Sequence, residues 1–121
     1  MSEPVVPATR AVGTLGYVET RIGDRTELAV VGDLDLTTIE LLITAAARVI
    51  SDGPSHLVLN LAGVPFMDST GLVALVRIRR MCEEVGCSLG LAELGRFVVD
   101  LVTRTGLHAY LNTIEPVADA L

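Results

Sequence analysis

The sequence predicts a single α/β domain in which a mixed, mostly parallel central sheet is flanked by helices. Three observations predict this fold class: the chain has 121 residues, half of them are apolar, and strand-like segments alternate with helix-like segments along most of its length. Strands that are joined through helices run parallel with right-handed connections. One short connection near the start adds an antiparallel pair, so the sheet is mixed.

The first quarter of the chain predicts a tail followed by a hairpin. Residues 1 to about 15 carry two prolines and no clear period, so we expect a flexible N-terminal tail (1–15) ahead of one domain over 16–121. YVETRI (17–22) and TELAVVG (26–32) have strand-like patterns. Only GDR lies between them, and so short a connection predicts a hairpin.

The first helix follows this hairpin. Thr37 with Glu40 three residues later is a capping-box pattern, which predicts that the helix begins at this point. Gly53 and Pro54 are expected to end it. Apolar residues at helical spacing predict its buried face as Ile39, Leu42, Ile43, Ala46, Val49 and Ile50.

A buried strand and a long helix form the middle of the chain. HLVLNLA (56–62) is dense in apolar residues, which is typical of a strand covered on both faces. After the loop GVPFMD we expect a helix from about Ser69 to Val85, ended by Gly86. Its buried stripe is predicted to be Ala74, Leu75, Ile78, Met81, Cys82 and Val85.

The last third repeats the alternation. CSLGLAEL (87–94) predicts a strand, and a short helix is expected over 96–105. YLNTI (110–114) predicts a final short strand, and EPVADAL (115–121) a last helical turn or tail. The inward side of the short helix is predicted to be Phe97, Val98, Leu101 and Val102.

Composition excludes several classes of function. Nine arginines against fifteen acidic residues give a formal net charge of −6, and the chain contains no lysine. Such a chain repels phosphate backbones, so we expect no direct nucleic-acid partner. It has no apolar run long enough to span a bilayer and no secretory pattern at its start, so we expect no membrane insertion and a cytoplasmic location.

The cysteines and histidines do not indicate a metal site. Cys82 and Cys87 are expected to be small buried apolar residues, since a reducing cytosol disfavours a disulfide. His56 and His108 are far apart, with no carboxylate at ligand spacing. We therefore expect no metal and no cofactor.

The segment Asp68-Ser69-Thr70-Gly71 is the one most indicative of function. It lies where a buried strand gives way to a helix, at the edge where open α/β sheets place their sites. Free amides at the helix start would stabilise a phosphate on Ser69 or Thr70, and Gly71 removes a side chain where a partner or nucleotide approaches. The same tetrapeptide is also an ordinary N-cap cluster, so the pattern alone leaves both interpretations open.

Three longer segments resemble the STAS-domain family, and specifically bacterial anti-sigma-factor antagonists. VVGDLDLTT (30–38) is similar to the family's second strand and its Gly-x-Leu-Asp turn. HLVLNLAGVPFMDSTGLVAL (56–75) is similar to its central strand, loop and phosphoacceptor helix, and RTGLHAYLNTIEPVADAL (104–121) to its C-terminal signature. The N-terminal tail is longer than is typical of the family.

The resemblance implies a switch based on phosphorylation of Ser69, the residue that follows the motif aspartate. It implies that an anti-sigma factor with serine kinase activity modifies this serine. The unphosphorylated protein then binds the anti-sigma factor and releases the sigma factor, and a serine phosphatase resets the switch. In this scheme the protein is a substrate and a binding protein, not an enzyme.

Residues beside the serine are expected to form the partner surface. Asp68 positions the serine and contacts the kinase. Thr70 supports the helix start or recognition, with a secondary acceptor role as the alternative. By the resemblance Asp35 lies near Ser69 and shapes this surface, although it fits equally well as a cap of the first helix together with Thr37.

Two apolar residues come just before the motif. Of Phe66 and Met67, one is expected to pack under the loop and the other to be partly exposed, where it can anchor a partner. A phosphate adds about −1.5 to −2 charges, and the adjacent loop has no basic residue to neutralise it. We therefore expect a partner to be rejected at the surface while the fold stays closed.

Other functions fit this sequence less well. A STAS subunit of a signalling scaffold or lipid-transport complex is an alternative, but such relatives often lack a working acceptor serine. A receiver domain needs an acidic cluster after its first strand and a late lysine, and both are missing here. Hydrolase chemistry lacks a histidine close to Ser69 in any motif.

Overall fold

The computed structural model describes residues 15–106 and 114–115. The elements of this part are β1 (Gly16–Ile22), β2 (Arg25–Val31), α1 (Ile39–Ser51), β3 (His56–Gly63), α2 (Ser69–Val85), β4 (Ser88–Ala92), α3 (Arg96–Arg104) and β5 (Ile114–Glu115). The expected tail up to residue 14, His108 and the C-terminal residues 116–121 lie outside the described residues. Within them, no helix has the length and apolar character needed to cross a bilayer.

The sheet is mixed, as predicted. Its strands lie in chain order from β1 to β5; β1 pairs with β2 antiparallel, and every later neighbour pairs parallel. The final strand predicted over 110–114 overlaps β5 only at Ile114, since 110–113 lie outside the described residues. The fold is therefore a single α/β domain with four longer strands and a two-residue fifth.

The helices cover one face of the sheet. Alternate strand residues, including Leu28, Leu59 and Leu91, join buried residues of α1, α2 and α3 in one apolar cluster. Consecutive parallel strands with right-handed connections place their helices on the same side. Val58 and Ala92 form a separate small cluster on the opposite face. The arrangement brings the connections 32–38, 64–68 and 93–95 together at one end of the sheet, called here the carboxyl edge.

Helix α2 has the bounds that the sequence predicts. Gly86 adopts a left-handed conformation (φ 76°), and its amide and that of Cys87 donate to the carbonyls of Glu83 (3.3 Å) and Cys82 (2.9 Å). This is the Schellman pattern that ends many helices at glycine. Cys82 and Cys87 are free and buried, as predicted. Val85 was predicted to be buried and is 63% exposed, because the chain turns back at Gly86 and Cys87 returns to the core in its place.

The capping box predicted for α1 is wrong. The helix begins at Ile39, and the side chain of the preceding Thr38 makes no capping bond. The Asp35 Oδ1 atom accepts the amide (2.9 Å) and the hydroxyl (2.7 Å) of Thr37, which holds Thr37 in the turn ahead of the helix, one residue before the N-cap position. The predicted apolar face is otherwise present, with Ile39 half-buried and Ala45 added to it.

The predicted inward side of helix α3 is wrong at one residue, Phe97. Val98 and Val102 are buried as predicted, but Phe97 is 45% exposed. Its ring stacks against the ring of Phe66 at the carboxyl edge instead of entering the core, with 5.3 Å between centroids and 26° between planes. Val98 and Val102, together with the half-buried Leu101 that packs against the core, fix which side of this short helix faces the sheet.

A β-bulge determines where β3 leaves the sheet. Pairing between β2 and β3 changes register between Ala29 and Val31. The Asn60 side chain holds the irregularity, since its Oδ1 accepts the Ala62 amide (2.9 Å) and its Nδ2 donates to Glu27 Oε2 (3.0 Å). The strand ends close to its neighbour at a glycine, Gly63. The next segment, 64–68, therefore starts from a fixed position.

Candidate functional site

Two loops of the carboxyl edge are joined by backbone pairing. Leu34 and Met67 form an isolated parallel bridge. The Leu34 amide donates to the Phe66 carbonyl (3.0 Å), and the Asp68 amide donates to the Leu34 carbonyl (3.1 Å). Both side chains of the bridge are fully buried. The loop before α1 and the loop before α2 therefore form one unit, which carries Asp35 beside the start of α2.

Asp68 is the N-cap of α2. Its Oδ1 atom accepts the amides of Thr70 (2.9 Å) and Gly71 (3.2 Å) and also the Thr70 hydroxyl. These bonds satisfy amides that have no partner inside the helix. The hydrogen bond from the Thr70 side chain, followed by the backbone amides, holds the pKa of Asp68 below its ordinary value, while burial acts in the opposite direction. The carboxylate is therefore ionised and oriented at neutral pH.

Ser69 is exposed at the first position of α2. No described residue forms a hydrogen bond with its hydroxyl. Of the two candidate caps, the structure uses Asp68 and leaves Ser69 free. The Thr70 hydroxyl, by contrast, is half-buried and bonded to Asp68. The two neighbouring hydroxyls thus differ in availability, although the sequence does not distinguish them.

Gly71 has a different use from the one predicted. A Cβ atom at this position would lie 2.5 Å from Met67 Cγ and 3.0 Å from the Leu34 carbonyl oxygen. The space left by the missing side chain is filled by the protein's own core, and Gly71 itself is buried. Gly71 therefore allows α2 to approach the paired loops closely, and no room remains for a partner or nucleotide at its backbone.

Phe66 and Met67 divide as the sequence predicts. Met67 is completely buried beneath the loop, whereas Phe66 is 41% exposed. The exposed ring is the one that stacks on Phe97. Phe97 was missed as a surface residue because helical spacing assigned it to the core; its position in the first turn after the 93–95 connection is the signal that places it at the edge.

Asp35 lies one residue after Leu34 and holds the turn before α1. Its side-chain Oδ1 accepts the amide and hydroxyl of Thr37, and its backbone carbonyl accepts the amides of Thr38 and Ile39, both at 3.0 Å. The turn is closed further by the buried Thr38 hydroxyl, which donates to the Asp33 carbonyl at 2.7 Å. The sequence left two roles open for Asp35, a partner surface near Ser69 or a cap of the first helix together with Thr37. The structure shows its side chain bonded to Thr37 in the turn before α1, with Thr38 at the N-cap position.

The carboxyl edge is acidic and partly apolar. Its three connections contain four carboxylates, Asp33, Asp35, Asp68 and Glu93, and no basic residue. Exposed apolar residues adjoin them: Leu36 in the first connection, Phe66 in the second, Val73 one helical turn after Ser69, and Phe97. Among the described residues, no three His, Cys, Asp or Glu side chains are grouped so that they could hold a metal ion.

Comparison with known proteins identifies the family. The STAS domain model matches residues 17–120. Over 81 residues the chain is 33% identical to the anti-sigma-F factor antagonist RsfB of Mycobacterium tuberculosis (strain CDC 1551 / Oshkosh), a match that covers 67% of this chain and 62% of RsfB. The chain thus matches less than two thirds of that relative's length.

Solved structures have the same fold. An anti-sigma factor antagonist from Mycobacterium paratuberculosis matches with a TM-score of 0.80 and 23% identity, over 93% of this chain and 95% of the other. The phosphorylated form of the Bacillus cell fate determinant SpoIIAA matches with a TM-score of 0.63 and 18% identity, over 83% and 89%. Because the family model extends over nearly all of the sequence and the topology agrees, the chain belongs to the STAS-domain family.

Proposed function

We propose that this protein is an anti-sigma-factor antagonist whose binding is switched by phosphorylation of Ser69. One observation carries the proposal: the Ser69 hydroxyl is exposed at the start of α2 and free of hydrogen bonds to the described residues. The similarity to RsfB, which is named as an antagonist of an anti-sigma-F factor, supports this class of partner. A structural neighbour that is described in a phosphorylated form supports a modification in this fold.

Ser69 is a better acceptor than Thr70. Modifying Thr70 would remove the hydroxyl proton that bonds Asp68 Oδ1 and would bring a phosphate against the capping carboxylate. Modifying Ser69 breaks no bond to any described residue. The structure thus supports the serine as the acceptor, with Asp68 and Thr70 fixing the direction in which it is presented.

The chemical step uses the hydroxyl of this chain and the catalytic machinery of the partner. Ser69 Oγ attacks the γ-phosphorus of ATP held by the anti-sigma factor kinase; an Oγ–P bond forms and the bond to the ADP oxygen breaks. The hydroxyl proton passes to a base supplied by the kinase. This protein is therefore a substrate and a binding partner, not the enzyme.

The charge of the product explains the loss of binding. The phosphate adds about −1.5 to −2 charges to an edge that already carries four carboxylates and no basic residue in its connections. Exposed apolar residues such as Phe66 and Val73 lie next to the modified position along the chain. A partner that covers them in the unmodified state must then bury an unpaired dianion, which costs several kcal/mol.

The fold does not need to open. A phosphate at the first residue of a helix lies at the positive end of the helix dipole, where anions are stabilised. Met67 and Gly71 beneath the site are buried and packed together, away from the exposed Ser69 hydroxyl. The proposed switch acts at the surface in a cytoplasmic setting, and a serine phosphatase restores the unmodified form.

The test uses purified anti-sigma factors from the bacterium that encodes this protein. With ATP labelled at the γ-position, we expect one of them to phosphorylate the wild-type protein and Thr70→Ala, but not Ser69→Ala. Ser51→Ala is the matched control, because Ser51 is also exposed but lies at the opposite end of a helix, where its hydroxyl donates to the Arg48 carbonyl at 2.8 Å.

Binding is measured in the same experiment. The proposal predicts that Ser69→Glu loses binding to that anti-sigma factor, whereas Ser51→Glu retains it. Labelling of Ser69→Ala at the wild-type level would refute the acceptor assignment. A free acceptor serine favours this function over a STAS subunit of a scaffold or lipid-transport complex, and capture of transport proteins with no anti-sigma factor would reverse that preference.

A further inference from the structure

The two phenylalanines of the chain form an exposed aromatic pair. The protein has four aromatic residues in all, two Phe, two Tyr and no Trp. Neither Phe66 nor Phe97 belongs to the buried core cluster; they are 41% and 45% exposed and stack on each other across two connections. Large rings left at a surface mark interaction sites far more often than scattered single aliphatic residues do.

We propose that this aromatic pair is a second docking element for the anti-sigma factor, distinct from the Ser69 hydroxyl. The proposal rests on the proposed function and extends the partner surface to α3. In it, the rings of Phe66 and Phe97 fill an apolar recess of the partner and supply affinity, whereas Ser69 supplies only the dependence on phosphorylation. Aromatic side chains that fill pockets commonly carry most of an interface's binding energy.

Charge around the pair identifies the kind of surface that fits it. The three connections of the carboxyl edge carry four carboxylates, among them Asp68 two residues after Phe66 and Glu93 four residues before Phe97, and these outnumber Arg96, the residue before Phe97. The occupant is therefore a protein recess bordered by arginine or lysine. An anionic lipid surface and a second copy of this chain, with its net charge of −6, are both repelled at this edge.

The test compares two variants with controls at the opposite end of the sheet. In calorimetric titrations against the anti-sigma factor that binds the unphosphorylated protein, Phe97→Ala is expected to weaken binding at least tenfold, and Phe97→Glu still more. Ile22→Ala and Val85→Ala remove apolar side chains that are 52% and 63% exposed but lie at the other edge. These two variants are expected to bind as the wild type does.

The phosphorylation switch is measured on the same variants, so the two proposals fail separately. If Ser69→Glu abolishes binding and Phe97→Ala does not weaken it, the aromatic docking element is refuted and the switch stands. If Phe97→Ala weakens binding and Ser69→Glu leaves it unchanged, the switch is refuted and the docking element stands. Equal losses in Phe97→Ala and Ile22→Ala, or a dimer in sedimentation that Phe97→Ala dissolves, would overturn the docking proposal.

Because Phe97 is half-exposed and outside the core, Phe97→Ala is expected to fold, and its thermal unfolding followed by circular dichroism checks this. Phe66→Ala provides the second variant: the same titration must show a comparable loss if the two rings act together. A double variant that loses less affinity than the sum of the single losses is the signature of one shared recess, whereas a loss equal to the sum would show that the two rings act independently.

Discussion

Thr70 donates both its amide and its hydroxyl to one carboxylate oxygen of Asp68. The two residues on either side of Ser69 are thereby bonded to each other, and the serine between them is directed to solvent. An N-cap that uses the residue before the serine is thus compatible with a free acceptor, whereas a serine cap would not be. The structural and functional interpretations of this motif do not compete.

The cap bond makes the first prediction. Asp68→Ala should lower the free energy of unfolding by about 1–2 kcal/mol at pH 7, because the Thr70 amide loses its side-chain acceptor and the Gly71 amide keeps only the Asp68 backbone carbonyl. Asp68→Asn keeps an acceptor oxygen and should cost clearly less. Urea unfolding measures both variants, and equal stability of Asp68→Ala and the wild type would contradict the cap.

The same bond makes a pH-dependent contribution. The folded protein holds the pKa of Asp68 below its ordinary value of 3.8, so folding stabilises the ionised form. This contribution is present above the ordinary pKa and is lost as the pH falls through the folded value. We expect the difference in free energy of unfolding between the wild type and Asp68→Asn to become smaller as the pH is lowered below 4. Unfolding curves recorded at successive pH values measure this difference. A difference in free energy of unfolding that does not change with pH would contradict the prediction.

A second prediction concerns the space at Gly71. Gly71→Ala should lower the free energy of unfolding by about 1–3 kcal/mol, since the new methyl group meets Met67 and the Leu34 carbonyl. Met67→Ala alone should cost about 2–5 kcal/mol through a cavity. The double variant should be less destabilised than the sum of the two, because the shortened side chain makes room for the methyl group.

Gly86→Ala is the matched control for the double-mutant cycle of Gly71→Ala and Met67→Ala. No atom lies within 4 Å of the site where its Cβ would be, and any cost comes from the left-handed backbone at φ 76°. Combined with Met67→Ala, it should give additive losses. Additivity in the Gly71 cycle as well would show that Met67 does not fill the space above Gly71.

The third prediction concerns the thiols. Burial raises the pKa of Cys82 to about 12 and also raises the pKa of Cys87. Because the thiolate is the reactive form, neither cysteine should react with a thiol reagent at pH 8 while the protein is folded. Both should react in urea, at a rate that follows unfolding. Rapid labelling of the folded protein would contradict the burial of these side chains.

The fourth prediction concerns the bulge of β3. Glu27 is buried, and the Asn60 amide donates a hydrogen bond to its carboxylate. Asn60→Ala should therefore lower the free energy of unfolding by about 1–3 kcal/mol, since it removes a partner of a buried polar group. Asn60→Ala combined with Glu27→Ala should recover part of that loss. If the two losses simply add, the bond between the two side chains contributes nothing to stability.

The sequence predicts the parts of this fold that local patterns determine. Helix α2 is recovered at both ends, because Asp68 and Gly86 are strong local signals for starting and stopping a helix. The start of α1 is missed because Asp35 holds Thr37 in a turn and the helix begins only at Ile39, which the Thr-x-x-Glu spacing does not reveal.

The sequence identifies the residues of the candidate site but not which of them are exposed or what they contact. The motif identifies Ser69 and its neighbours, yet which hydroxyl is free depends on the cap geometry. Gly71 and Met67 have supporting roles that only the close approach of α2 to Leu34 reveals. Phe97 follows an apolar helical spacing and was therefore assigned to the core; its position in the first turn of α3 indicates the carboxyl edge, but its contact with Phe66 comes from another part of the chain and is not visible in sequence periodicity.

The bridge between Leu34 and Met67 limits which residues can change when copies of this domain evolve to bind different partners. Residues that point inward from these two loops are locked together, so a change at one requires a matching change at the other. An outward residue such as Leu36 takes no part in this bridge, although Phe66 is coupled to Phe97 through their stacked rings. Copies of this domain can therefore change their binding partners by exchanging a few outward side chains, while the buried contact that supports the start of α2 stays the same.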